Sequence, residues 1–249
     1  MPTLQIMSDV HVEFFRTEFH HWLSRLTPVA DILVLAGDID VGAHLAATLA
    51  AFAQRWPRVV FVPGNHEYYH SSPKLTTKAI RAATREAANL VWLDNGVAEV
   101  EGLTFAGATL WHSEPPDPQV KAWMGDYHAI RNFEPWVYRE HQRALALLSK
   151  VKADVVVTHH IPTTLGIAEE FRDSPLNHCF CHDMTDMIRE RGPRLWVYGH
   201  THTPMSYMVG QTQMVCNPKG YPHERAAGFN PNLVVTVDRV TPDSAPGMP

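Results

Sequence analysis

Five short apolar runs each lead directly into residues that carry oxygen or imidazole donors, and this pattern constrains the chain more than any other. Leu4–Met7 is followed by Ser8-Asp9-Val10-His11, Ile32–Ala36 by Gly37-Asp38-Ile39-Asp40, and Val59–Val62 by Pro63-Gly64-Asn65-His66-Glu67. Val155–Val157 leads into Thr158-His159-His160, and Leu195–Tyr198 into Gly199-His200-Thr201-His202. Such short runs, rich in Val and Ile, read as buried strands rather than helices. Helical stretches are expected at 44–55, at 74–88 behind Ser71-Ser72-Pro73, at 138–150, and at 183–191 before Gly192-Pro193. Strand and helix alternate through the first half, which predicts a mostly parallel sheet with covering helices. Further strands at 97–100, 103–106, 213–216 and 233–237 read as hairpin-like additions, and 115–135 and 161–180 read as long loops.

In a parallel sheet the carboxyl ends of the strands share one edge, and ligands bind there. Five strands therefore deliver Asp, Asn or His to a common edge, three of them with a Gly just before the polar residue to let the backbone turn sharply. Imidazole nitrogens and carboxylate oxygens suit divalent cations such as Zn, Fe and Mn. Two ions roughly 3.5–4 Å apart need a shared ligand, usually a carboxylate, and can clamp both ends of a phosphoryl displacement. Each motif alone has an ordinary reading, an Asp capping a turn or a Gly-Asp turn dipeptide. Their joint placement at five strand ends carries the inference.

The chain has 249 residues, enough for one large domain, expected over 1–240 with a loose tail at 241–249. With 21 Lys+Arg against 26 Asp+Glu, the formal charge of -5 argues against a sequence-independent hold on nucleic acid. Sixteen His against three Cys point to metal or proton chemistry and away from a disulfide scaffold. No apolar stretch has signal or membrane-span length, so a cytoplasmic protein is expected, with no membrane partner.

Taken in order, these residues resemble the calcineurin-like metallophosphoesterases, whose motifs are Asp-x-His, Gly-Asp, Gly-Asn-His-Asp/Glu, a later His, and Gly-His-x-His. The match runs from residue 9 to 202 and extends to a bacterial branch of uncertain substrate through Gly107–His112, Asp126-Tyr127 and Asn217–Tyr221. The resemblance implies an α/β fold: a two-sheet β-sandwich flanked by helices, with the site at strand ends. It implies two divalent ions (Mn, Fe, Zn or Ni), one held by Asp9, His11 and His202, the other by Asn65, His159 and His200, with Asp38 bridging. It further implies in-line attack of a metal-bridging hydroxide on a phosphoester, with His66 facing the substrate as general acid. A small-molecule or nucleotide phosphodiester is the expected substrate; a phosphomonoester, a nuclease activity or a non-catalytic scaffold are the alternatives. Complete retention of the seven ligands and His66 speaks against the scaffold, and the lack of an evident basic groove against the nuclease.

One departure concerns the group behind His66. Family phosphatases often carry Gly-Asp-x-x-Asp, whose second Asp orients the catalytic histidine. Here Asp40 comes one position early, so either Asp40 reaches His66 from another angle or another group holds it. His160 is expected behind the ligands or facing substrate. His112, Tyr127, Arg131 and Lys219 are candidates for the substrate side, each weighed against an ordinary core or surface role. The cluster His178-Cys179-Phe180-Cys181-His182 lacks a second ligand pair at zinc-site spacing and reads as a packed loop. The basic helix positions Lys74, Lys78, Arg81 and Arg85 read as a solvated face.

Overall fold

The computed structural model describes residues 1–224 and 228–238, so the expected tail at 241–249 lies outside the described residues. All five of the apolar runs that lead into donors are strands with parallel partners, shared between two separate sheets. In the first sheet β1 (Thr3–Met7), β2 (Ile32–Ala36), β3 (Arg58–Val62) and β4 (Leu90–Trp92) run parallel, and β11 (Val234–Thr236) closes the other edge antiparallel to β1. The second sheet takes the order β5 (Gly96–Val100), β6 (Leu103–Ala108), β7 (Val155–Thr158), β8 (Leu195–Tyr198), β10 (Thr212–Cys216), β9 (Met205–Val209). Its central four strands are parallel and both edges are antiparallel hairpins, as the sequence pattern predicts for this half.

Strand alternation sorts the side chains into layers. Ile32, Val34 and Ala36 of β2 face across to Phe105, Val155, Val157, Leu195 and Val197, forming the seam between the sheets. Leu33 and Leu35 face the other way, onto α1 (Phe19–Arg25), α2 (Leu45–Ala53) and α3 (Pro73–Glu86), through Leu23, Phe52 and Ile80. On the far side Val156, Trp196 and Met214 pack under α6 (Trp136–Leu148) and α8 (Thr185–Arg191), through Leu148 and Ile188. Both faces of each sheet are thus covered, which is why the central strands read as unbroken apolar runs.

The predicted helices hold to within a few residues, α3 with Pro73 in its first turn and α8 ending at Gly192 with φ of +58°. The two segments expected as long loops are corrected. They contain α4 (Pro118–Trp123), capped by Asp117, α5 (Asp126–Ala129) and α7 (Asn177–Phe180), along with short 3-10 turns. Helices of four to six residues are too short for a 3.6-residue period to show in sequence. Strands β4 and β9 and helix α1 have no counterpart among the expected elements either.

Register decides where the functional residues go. Met7 pairs with Leu35 and Leu35 with Phe61, so β1, β2 and β3 end level with one another. Ala108 pairs with Thr158 and Val157 with Val197, which levels the ends of β6, β7 and β8 on the second sheet. Ser8 bridges to Pro218 beyond β10, tying the two sheets together at that end.

Candidate functional site

All seven residues expected as metal ligands converge where the two sheets end. The Nε2 atoms of His11 and His202 lie 3.0 Å apart, with Asp9 Oδ1 3.4 Å from His202 Nε2. His159 Nε2 lies 3.1 Å from Asn65 Oδ1 and 3.2 Å from His200 Nδ1. Asp38 stands between these groups. Its Oδ1 is 3.4 Å from His159 Nε2 and its Oδ2 is 3.8 Å from His11 Nε2.

The loops meet this closely because the backbone is strained. Asp9, His11, Asp38, His200 and His202 all have φ between +49° and +69°, a region that L-residues rarely occupy. Gly37 supplies its own positive φ of +84° for the turn, whereas Gly64 and Gly199 serve a different need, since a Cβ there would collide with Asp38 and Asp9. Main-chain bonds stitch the loops: His11 N–H donates to Asp38 O (3.0 Å), Gly199 N–H to His159 O (3.0 Å), and His200 N–H to Asp9 Oδ1 (2.9 Å).

Hydrogen bonding behind the donors fixes where their lone pairs point. His159 Nδ1 donates to the Ala36 carbonyl (2.9 Å), leaving an Nε2 lone pair aimed at Asp38 and Asn65. Asn65 Nδ2 donates to Asp126 Oδ1 (2.8 Å), which turns Asn65 Oδ1 inward. His11 Nδ1 donates to Glu13 Oε1 (3.0 Å) and His202 Nδ1 to Glu224 Oε2 (2.7 Å), so the two Nε2 lone pairs confront each other. Such close contacts need positive charge between the atoms, a metal ion or the proton that the raised pKa values of His159 and His202 supply. The charge count agrees. Asp9, Asp38, Glu67 and Asp126 are buried, and no Lys or Arg among the described residues is ion-paired to any of them.

The electrostatics attract cations accordingly. Burial works to raise the Asp38 carboxyl, but the imidazoles of His159, His66 and His11 overcome it and hold it well below the usual carboxylate range. Burial likewise opposes a charge on His159, yet Asp38 and Asp9 draw its pKa up to about 10. Against its own burial, His202 is drawn up to about 9 by Asp9 and Glu224. The donor set is mixed imidazole, carboxylate and carboxamide, the kind that binds divalent first-row ions. Among the described residues three donor groups of metal-binding type emerge: Asp9 with His11 and His202, Asp38 with His159 and His200, and His11 with Asp38 and His66. None includes Cys179 or Cys181.

His66 stands at the lip of this cluster, Nε2 4.0 Å from Asp38 Oδ2. Its ring stacks on Tyr69 (4.2 Å), and Nε2 lies 3.2 Å from the Tyr221 hydroxyl. Asp40 does not hold it. That carboxylate is taken by Arg16 (2.7 and 2.9 Å) and the Thr48 hydroxyl (2.6 Å). Glu13 supplies the missing support, its Oε1 3.0 Å from both His66 Nδ1 and His11 Nδ1. Burial tends to raise the Glu13 carboxyl, and these two imidazoles bring it below its ordinary range instead.

An open cleft of about 660 Å³ leads to the centre, lined near the donors by His66, Tyr69, Tyr221 and Glu224 and further out by Trp123 and Phe171. The five residues considered for the substrate side line none of it. His160 is buried, its Nδ1 donating to Thr109 O (3.0 Å) and its ring against His200 (4.4 Å); burial and His159 push its pKa down to about 3. His112 bonds the Tyr127 hydroxyl (2.7 Å), which in turn meets Tyr138. Arg131 donates to Ser71 O (3.3 Å). Lys219 Nζ donates to Val10 O (3.2 Å) and lies 3.9 Å from the Phe15 ring centroid.

Sequence reasoning passed over Glu13, Tyr69, Asp126, Tyr221 and Glu224 as site residues. Glu13 stands two positions after His11, just beyond the first motif, and Asp126 and Tyr221 fall within the stretches that resemble the bacterial branch.

The model of the calcineurin-like phosphoesterases matches residues 3–204. The chain belongs to this family. Among curated proteins it is 25% identical to Uncharacterized protein L509 of Acanthamoeba polyphaga mimivirus, over 98% of this chain and 100% of that one. Among solved structures it is similar to the phosphopantetheinyl hydrolase PptH of Mycobacterium tuberculosis, with TM-score 0.76, 18% identity, and 99% of each chain covered. It is also similar to TT1561 of Thermus thermophilus, with TM-score 0.56, 16% identity, and 87% and 89% covered. These solved structures share the two-sheet fold flanked by helices. A phosphoester hydrolase that uses divalent metal is what membership implies, and the histidine–aspartate clusters suit such an ion. Among the described residues no helix is long and apolar enough to cross a membrane.

Proposed function

We propose that this chain is a dinuclear metal-dependent phosphoesterase acting on a small-molecule phosphodiester. The observation that carries the reading is the position of Asp38, with Oδ1 turned to the His159 side and Oδ2 to the His11 side. One carboxylate between two donor groups is what a bridging ligand requires. Asp9, His11 and His202 would hold one ion; Asn65, His159 and His200 would hold the other.

A bound pair of divalent ions supplies Lewis acidity toward phosphoryl oxygens and acidifies water to near neutrality. The chain's own residues do the rest. His66, its Nδ1 proton committed to Glu13, presents Nε2 to the cleft and holds there the proton that the leaving oxygen needs. Glu13 fixes the ring and stabilises its charged form. The Tyr221 hydroxyl, 3.2 Å from Nε2, is placed to donate to a phosphoryl oxygen or the leaving group. Stacking of Tyr69 on one face of His66 keeps the imidazole from rotating.

A diester is favoured over a monoester by what the cleft lacks. No Lys or Arg lines it among the described residues. A monoester dianion calls for such cations to hold its extra oxygens, whereas a diester carries one charge that the ions themselves can meet. The same lack argues against a nucleic-acid backbone. The test is elemental analysis of the purified protein coupled to a panel: a bis-aryl phosphate, an aryl monophosphate, cyclic nucleotides, dinucleotides and a phosphopantetheinyl ester. About two equivalents of Mn, Fe, Zn or Ni and preference for diesters are expected. A clear monoester preference would overturn the substrate class, and one equivalent at full activity would overturn the paired site.

A further inference from the structure

We propose that a side pocket beside His200 receives a narrow, uncharged arm of the substrate, which makes the preferred diester one with a linear chain on one oxygen. The inference rests on the phosphodiesterase reading above and names the substrate class for that site.

Phe171, Leu176, Phe180, His200 and Thr201 line both the main cleft and a second cavity of about 160 Å³. The cavity therefore opens beside the donor cluster; the Phe180 ring lies 4.2 Å from that of His200. Its remaining walls come from Ile161, Ile167, Ala168, Ser174 and Asn177. No Asp, Glu, Lys or Arg is among them. The two polar side chains in the loop wall are already engaged. Asn177 Nδ2 donates to the carbonyls of Phe171 (2.7 Å) and Arg172 (3.0 Å), and Ser174 Oγ accepts from Leu176 N–H (3.3 Å). Away from His200 and Thr201, the polar residues it shares with the main cleft, a charged group entering here would lose its water and find no partner, which is strongly unfavourable. An aliphatic chain would gain dispersion and burial on all sides.

The cavity is small, about 160 Å³ against about 660 Å³ for the main cleft, so it suits a slender arm while a bulkier group has room in the main cleft. The loop that builds the pocket is the 161–180 segment, whose short helix α7 brings Leu176, Asn177 and Phe180 to one side.

The experiment compares two monoanions that lack a P–O–C bond, dimethylphosphinate and methyl(pentyl)phosphinate, binding to the full chain loaded with Mn²⁺, by calorimetry. Each buried methylene is worth about fourfold, so burying three of the four added ones favours the pentyl compound by about fiftyfold. Ala168→Asp places a charge in the wall, and Ser174→Phe fills the cavity; neither residue lines the main cleft. Each should reduce the preference below about threefold while dimethylphosphinate affinity stays within about twofold of wild type. A wild-type preference under about threefold overturns the pocket assignment and leaves the phosphodiesterase reading standing. Failure of both phosphinates to bind, with phenyl phosphate bound, overturns that reading and the pocket assignment with it.

Discussion

Glu67 offers a sharp test of how the centre is held together. Its carboxylate is fully buried between the loops that carry Asp38 and Asn65. Oε2 accepts from Gly64 N–H (2.6 Å) and Asp38 N–H (3.0 Å), and Oε1 from Ile39 N–H (2.6 Å). Burial and the Asp38 charge push its pKa up, to about 8, while the three N–H donors favour the ionised form. The donors decide the matter, because a protonated carboxyl would turn its O–H onto one of the three main-chain N–H groups that the two oxygens accept. Glu67→Gln keeps the shape but leaves a single acceptor oxygen. Whichever way the amide sits, its NH₂ faces at least one main-chain N–H.

That loss is one charge-assisted hydrogen bond, roughly 1.5–3 kcal/mol, plus one buried unsatisfied donor, roughly 1–3 kcal/mol. The expected total is about 3–5 kcal/mol, a large share of a typical folding free energy of ~5–15 kcal/mol. With a urea m-value of about 2–3 kcal/mol per molar for a chain this size, the midpoint should fall by about 1–2 M. Urea unfolding followed by circular dichroism measures it, with Glu101→Gln, which breaks an exposed pair with Arg58, as the control expected to shift little. A Glu67→Gln midpoint within about 0.2 M of wild type would mean that Glu67 is a neutral acid mimicked by the amide, and the clamp argument would fall.

Asp38→Ala should reduce bound metal and lower turnover by about a thousandfold or more, since both donor groups share it; metal analysis of active variant protein at full stoichiometry would refute the bridging role. His66→Ala should retain metal and lose about 10²–10⁴ in rate, most with poor leaving groups; equal loss across leaving groups would contradict an acid role. Glu13→Gln should cost about 10–100-fold and steepen the same leaving-group dependence, as expected of a group that positions another. Away from the centre, His141 is buried with its Nδ1 on the Trp111 carbonyl, and burial with the nearby His182 pushes its pKa down to about 4. The unfolded chain binds that proton near pH 6.5, so the stability His141 contributes is complete above that pH and is lost as pH falls toward 4. Between about pH 7.5 and pH 5 the loss is about 2 kcal/mol, and His141→Asn, which keeps the donor, should show that much less acid sensitivity in urea unfolding.

The positions of the candidate ligands were legible in sequence because strand ends make them so. A short unbroken apolar run rich in Val and Ile announces a buried strand, and parallel pairing forces the next few residues to a common edge. Asp9, Asp38, Asn65, His159 and His200 needed no more information than that. The cleft walls were not legible. Trp123, Phe171 and Tyr221 come from short helices and turns whose placement depends on long-range packing, such as Tyr221 closing over His11 at 4.4 Å. His112, Tyr127 and Arg131 show the reverse: residue types suited to phosphate that lie outside the cleft lining and bond to neighbouring loops.

The exchange of Asp40 for Glu13 follows from reach. A side chain behind His66 must approach Nδ1 from the side away from Asp38, so its origin matters more than its place in a motif. Asp40 is short and turns toward α2, where Thr48 and Arg16 satisfy it. Glu13 rises from the turn after β1, next to His11, and its longer side chain spans to the His66 ring. One oxygen then serves both imidazoles at 3.0 Å. His11, proposed as a ligand, and His66, proposed as the leaving-group acid, share a single acceptor, so displacing Glu13 must misalign both at once. This is why Glu13→Gln is expected to weaken metal binding slightly along with the rate, whereas Asp40→Asn, severed from His66 by geometry, should cost stability through Arg16 and Thr48 and leave the leaving-group dependence as it was.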